Sequence, residues 1–73
     1  MADLELHREG RIARLTLAPD AAAYLRAVGI AEGVGVRVVR RAPIGGPLHV
    51  QTSSGADLAL DRELARGVEL ELE

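Results

Sequence analysis

The chain predicts a mainly β fold: a small, strongly curved barrel of about five short strands, with one short helix after the first strand and a helical turn before the last. Three observations carry this. Apolar and polar residues alternate in short runs cut by glycine and proline, the period of strands that bury one face. A single stretch, Ala21-Ala22-Ala23 after Pro19-Asp20, has strong helix propensity behind a start signal. The length of 73 residues and 48% hydrophobic content allow one domain over 1–73 with a thin core. Curling so small a sheet until it closes would remove its free edges.

Each element has its own signature. Leu4 and Leu6 are expected to tuck against the domain before Gly10 turns the chain. Arg11 to Leu17 alternates as a strand with Ala13, Leu15 and Leu17 inward; Ile12 breaks the pattern and is assigned to the outer face, against the N-terminal segment. Asp20 is expected to cap the helix, with Leu25 and Val28 on its inner face beside Ala21 and Ala22. Gly29 fits a left-handed residue closing the last turn, with Ile30 folding back as the apolar partner of that cap.

Glu32-Gly33 then turns the chain into Gly35 to Arg41, with Val36 and Val38 inward and Arg37 outward. Val39 interrupts the alternation, as a bulge or the bend of a small barrel requires. In Ala42 to Pro47 two prolines bracket two glycines, which predicts no regular pairing. Leu48, Val50 and Thr52 alternate with His49 and Gln51, Ser53-Ser54-Gly55 turns, and Ala56, Leu58 and Leu60 alternate with Asp57 and Ala59: a hairpin. Asp61 caps one helical turn through Arg66 with Leu64 and Ala65 inward. The last strand, from Gly67, puts Val68, Leu70 and Leu72 inward and Glu69, Glu71 and Glu73 in water.

Composition excludes several functions. With no cysteine there are no disulfides, thiolate zinc sites or thiol nucleophiles. All nine basic residues are arginine against eleven acids, a formal charge of −2, and Tyr24 is the single aromatic residue. Nucleic acid is therefore not an expected partner: there is no basic excess to release counterions and no set of rings for stacking. Nor can Tyr24 alone build the aromatic groove that binds proline-rich peptides. No stretch of about 18 residues is free of charge, so no membrane insertion is expected, and Met1 to Glu5 lacks the basic start of a signal peptide. The expectation is a soluble cytoplasmic chain.

Reactive constellations are equally sparse. Thr52, Ser53 and Ser54 have no histidine or acid placed to activate them, and Gly33-Val34-Gly35 is followed by a strand rather than by a phosphate-loop Lys-Ser/Thr. Enzymatic activity and a resident cofactor are not expected. His7 and His49, with Glu5, Glu9 or Asp57 nearby, are types that ligate divalent metals, yet the spacing matches no ligand motif and reads as ordinary surface. Arg37, Arg40 and Arg41 form a basic cluster whose expected partners are Glu69 and Glu71 on an adjacent strand, with acidic groups of a partner or a membrane surface as the other reading.

The ordered set of Leu25-Arg26-Ala27-Val28-Gly29-Ile30, Glu32-Gly33, the valine-rich strand into Arg41-Ala42-Pro43-Ile44-Gly45-Gly46-Pro47-Leu48, and Leu58-Ala59-Leu60 before a helical turn and final strand resembles the FeoA family over nearly the whole chain. The resemblance implies an SH3-like barrel and a cytoplasmic accessory role in ferrous iron transport. It also implies a partner, the membrane protein FeoB, which pairs a GTP-binding domain with an Fe(II)-conducting permease and would bring the chain to the inner membrane. Two positions depart from the family pattern: Asp61, where arginine is common, and Gly46, where an acidic or polar residue is common. Both bear on which partner is recognised.

The candidate partner-binding residues are Leu25, Arg41, Pro43, Ile44, Gly45, Gly46 and Pro47. On a proline-stiffened loop an exposed Ile44 loses little entropy on docking and makes an apolar anchor; alternatively Ile44 plugs one end of the barrel. Two other function classes come into question, of which length argues against the second. One is a small Fe(II)-binding carrier or sensor. The other is the SH3-like domain of iron-dependent repressors, for whose DNA-binding helices the sequence has no room. Self-association as a weak homo-oligomer would run through the last strand, against which its exposed glutamates act.

Overall fold

Short alternating runs bury one face each, and in the computed structural model, which describes residues 1–72, they assemble into a single antiparallel sheet. The chain order is β1 (Glu9–Leu15), α1 (Pro19–Ala27), β2 (Gly35–Arg41), β3 (Leu48–Thr52), β4 (Asp57–Leu60), α2 (Arg62–Arg66) and β5 (Val68–Glu71). The strands pair in the order β4-β3-β2-β1-β5. The five expected strands are present, but among the described residues their sheet is not closed by hydrogen bonds: β4 and β5 lie at opposite ends of the ladder, and α2 carries the chain from one to the other. Each four-residue edge strand pairs with one neighbour only, β4 with β3 and β5 with β1.

Two bulges bend the sheet. Val38 faces Val50 and Arg40 faces His49, which leaves Val39 as an extra residue in β2, where the broken alternation put it. Ile12 faces Leu70 and Arg14 faces Glu69, leaving Ala13 extra in β1. This second bulge corrects the phase of the first strand: Gly10 and Ile12 point inward, Ile12 being 1% exposed, and Ala13 is only half-buried. The chain therefore turns before Gly10, at His7, whose φ is 66° and whose N–H donates to the Val38 carbonyl at 2.8 Å.

The core is aliphatic, with Ile12, Leu25, Ile30, Val36, Val38, Leu48, Val50, Leu60 and Val68 fully buried. Leu4 joins it from the N-terminal segment, whereas Leu6 and Leu72, both expected inward, are 47% exposed. Leu72 lies past the end of β5, and Glu73 lies outside the described residues.

Helix α1 begins on Pro19 behind Ala18, with no side-chain cap; Asp20 sits inside the first turn, so its expected capping role is not realised and it acts on the helix end only through its charge. The other end is as expected. Gly29 has φ 104°, its N–H donates to the Arg26 carbonyl at 3.3 Å, and the Ile30 N–H donates to the Leu25 carbonyl at 2.8 Å, the paired bonds of a Schellman ending with buried Ile30 as its apolar contact. Asp61 caps α2, its Oδ1 accepting from the Glu63 N–H at 2.8 Å.

Candidate docking site

Between β2 and β3 the hairpin keeps pairing beyond the regular strands, which corrects the expectation for Ala42 to Pro47. The Ala42 N–H donates to the Pro47 carbonyl at 3.1 Å and the Gly46 N–H to the Pro43 carbonyl at 3.3 Å. The prolines supply only carbonyls here, so their missing N–H groups cost nothing. At the tip Ile44 and Gly45 have φ of 57° and 71°, the signature of a type I′ turn.

Ile44 is anomalous in this geometry. Left-handed backbone costs an L residue on the order of 1–2 kcal/mol, and a β-branched side chain is among the least suited to it. The side chain recovers nothing by packing: it is fully exposed, at 103% of its reference area. It therefore does not plug the barrel. Pro43, Gly45 and Pro47 are exposed beside it, and Gly46 is half-buried; a Cβ there would stand 2.6 Å from that of Ala42.

The turn is tied down from below. Arg62 of α2 donates its Nε to the Gly46 carbonyl at 3.2 Å. Arg41 is half-buried with its Nη1 on the Ala2 carbonyl, fastening the N-terminal segment to the hairpin. Leu25 belongs elsewhere: it is fully buried under α1 and offers no surface to a partner, so its place in the candidate set is corrected to a core and cap residue.

Against the turn lies an open groove of about 350 Å³ lined by Arg40, Ala42, Pro47, Leu48, His49, Asp57, Leu58 and Ala59. Its carboxylate, Asp57, is already engaged by the His49 ring and by the Gln51 amide at 3.3 Å, and these hydrogen bonds, His49 first, hold its carboxyl below the usual range. The basic cluster does not pair as expected. Strand β1 separates β2 from β5, and Glu69 is taken by Arg14 at 3.6 Å and by the Thr16 hydroxyl. Among the described residues no three histidine or carboxylate side chains stand close enough to hold a metal, and no helix is long and apolar enough to cross a membrane.

Sequence reading missed Arg62 and the groove. Nothing in the sequence links Arg62 to a carbonyl sixteen residues earlier. The groove had a faint signal in Ala59, a small residue at a position that the strand period turns outward.

The model of the FeoA domain matches residues 1–72. Among solved structures, the chain is 31% identical to FeoA of Stenotrophomonas maltophilia, a prokaryotic SH3 domain protein complexed with zinc, with a TM-score of 0.79 over 96% of this chain and 86% of that one. FeoA of Chlorobium tepidum has a TM-score of 0.87 at 24% identity, over 97% of this chain and 67% of that one. A manganese-dependent transcriptional repressor shares the fold, with a TM-score of 0.87 at 24% identity over 96% of this chain but only 34% of the repressor. No curated protein matches the chain in sequence.

Proposed function

The chain belongs to the FeoA family, associated with ferrous iron transport, and from that premise we propose that it is a non-enzymatic accessory domain that docks on a FeoB-type iron permease and regulates it. It works from the cytoplasm and reaches the inner membrane through that partner. The observation that carries this reading is Ile44, a large apolar side chain held wholly in solvent on a strained, tethered turn. Strain kept where it adds nothing to packing is a mark of functional surface, and a rigid apolar tip docks with little loss of entropy. The Stenotrophomonas maltophilia relative has itself been put forward as a ferrous iron transport activating factor.

The test is capture of the purified permease by the immobilised chain. Wild type retains it, and Ile44→Asp, which disturbs no packing, weakens retention by at least about tenfold, as loss of a central apolar anchor does. Equal retention by both chains removes Ile44 from the interface, and retention by neither removes the docking function.

A further inference from the structure

Three arginines without an ion-pair partner stand about the docking turn. Arg40 lines the groove, Arg41 precedes the turn and Arg62 holds its Gly46 carbonyl, and among the described residues none of the three has a carboxylate within ion-pair distance. The carboxylates nearest the groove and α2 face other groups: Asp57 meets His49 and Gln51, Asp61 accepts from the Glu63 N–H, and Glu63 pairs with Arg66 at 2.6 Å. This happens in a chain whose formal charge is −2, so the basic patch is local and opposes the global sign.

We infer that the partner segment received by this face is acidic and amphipathic: one apolar pocket or side chain meets Ile44 and the groove walls of Ala42, Pro47 and Leu58, and flanking Asp or Glu side chains meet Arg40 and Arg62. The inference rests on the docking function proposed for the same turn and adds the chemistry of the surface that it recognises. Guanidinium groups suit the role because their planar donor forks pair with carboxylates in two parallel hydrogen bonds and shed water more readily than ammonium groups. An anionic bilayer fits less well. Surface recruitment takes clusters of about four to eight basic residues, and here only three arginines stand about the turn of a chain that is net negative.

Arg40 gives a clean handle, because it is exposed and its side chain pairs with no carboxylate among the described residues. Binding of the purified permease is measured with wild type, Arg40→Lys, Arg40→Glu and Ile44→Asp, at about 50 mM and about 500 mM salt, where the screening length falls well below 10 Å. At low salt Arg40→Glu is expected to weaken binding about tenfold, chiefly through slower association, Arg40→Lys to keep most of it, and the gap to shrink at high salt. Wild-type affinity in Arg40→Glu at low salt, with Ile44→Asp still defective, overturns the acidic partner while leaving docking intact. Failure of wild type to bind overturns both. Capture of the chain by vesicles of equal parts phosphatidylglycerol and phosphatidylcholine as tightly as by permease assigns the arginines to lipid and overturns the inference.

Discussion

Single residues in this protein divide into those that the fold needs and one that it tolerates. Gly29 and Gly46 are needed for different reasons. Gly29 holds φ 104° at the Schellman ending, with a would-be Cβ 3.3 Å from Ala56. Gly29→Val is expected to lose about 1–3 kcal/mol, read as a fall in Tm, and an unchanged Tm would refute the cap. Gly46 lies close to the other arm of the hairpin, 2.6 Å from the Ala42 Cβ if a Cβ is added. Gly46→Ala should therefore distort the turn itself, visible as altered amide shifts confined to Ala42 through Pro47; unshifted amides there would contradict the close approach. Ile44 belongs to the other kind, since its conformation costs energy that no contact returns.

At the scale of elements, side chains pin each ending. Arg26 in the last turn of α1 reaches Glu32 with Nε at 3.1 Å and Nη2 at 2.8 Å, clamping the helix end to the turn that launches β2. The Arg26 hydrogen bonds lower the Glu32 carboxyl from its ordinary 4.5 to about 2. A carboxylate with a depressed folded-state value stabilises fully above about pH 4.5 and loses that contribution as pH falls toward 2. The Tm gap between wild type and Glu32→Gln should accordingly be widest near neutral pH and close by about pH 2. A gap that stays constant would show that the clamp does not form. On α2, Asp61→Ala removes the bond to the Glu63 N–H and should cost about 1 kcal/mol, measured by denaturant unfolding. An unchanged midpoint would show that the cap carries no weight.

At the scale of the whole molecule, what could be read in advance was what local chemistry decides. The Gly29-Ile30 ending, the Val39 bulge, the β3–β4 hairpin and the Asp61 cap each depend on residues within one turn or one pair of strands. What escaped depends on register between distant segments. The phase of β1 is set by a bulge at Ala13 against β5, so Ile12 was assigned outward although it is buried. The placing of β1 between β2 and β5 decides that Arg14, rather than the β2 arginines, meets Glu69. The sheet's two short edges are bridged by α2 and not by a ladder, which no alternation pattern specifies. In the docking site the loop and its residues were legible from Pro43 to Pro47, but the turn type was not, because an isoleucine in left-handed backbone contradicts propensity. Leu25 was misassigned because a residue shared with a family's pattern can serve the core as readily as a surface.

That contradiction of propensity makes the turn testable as a trade between stability and binding. Ile44→Asn creates the pair most favoured in a type I′ turn and gives up no buried surface. The most direct measurement is the Tm of this variant set beside its capture of the permease. Tm should rise by about 4–8 °C, corresponding to relief of about 1 kcal/mol in a domain this small, while capture falls at least about tenfold. A variant that is no more stable, or one that still captures the permease as wild type does, would contradict a strained apolar tip retained for docking.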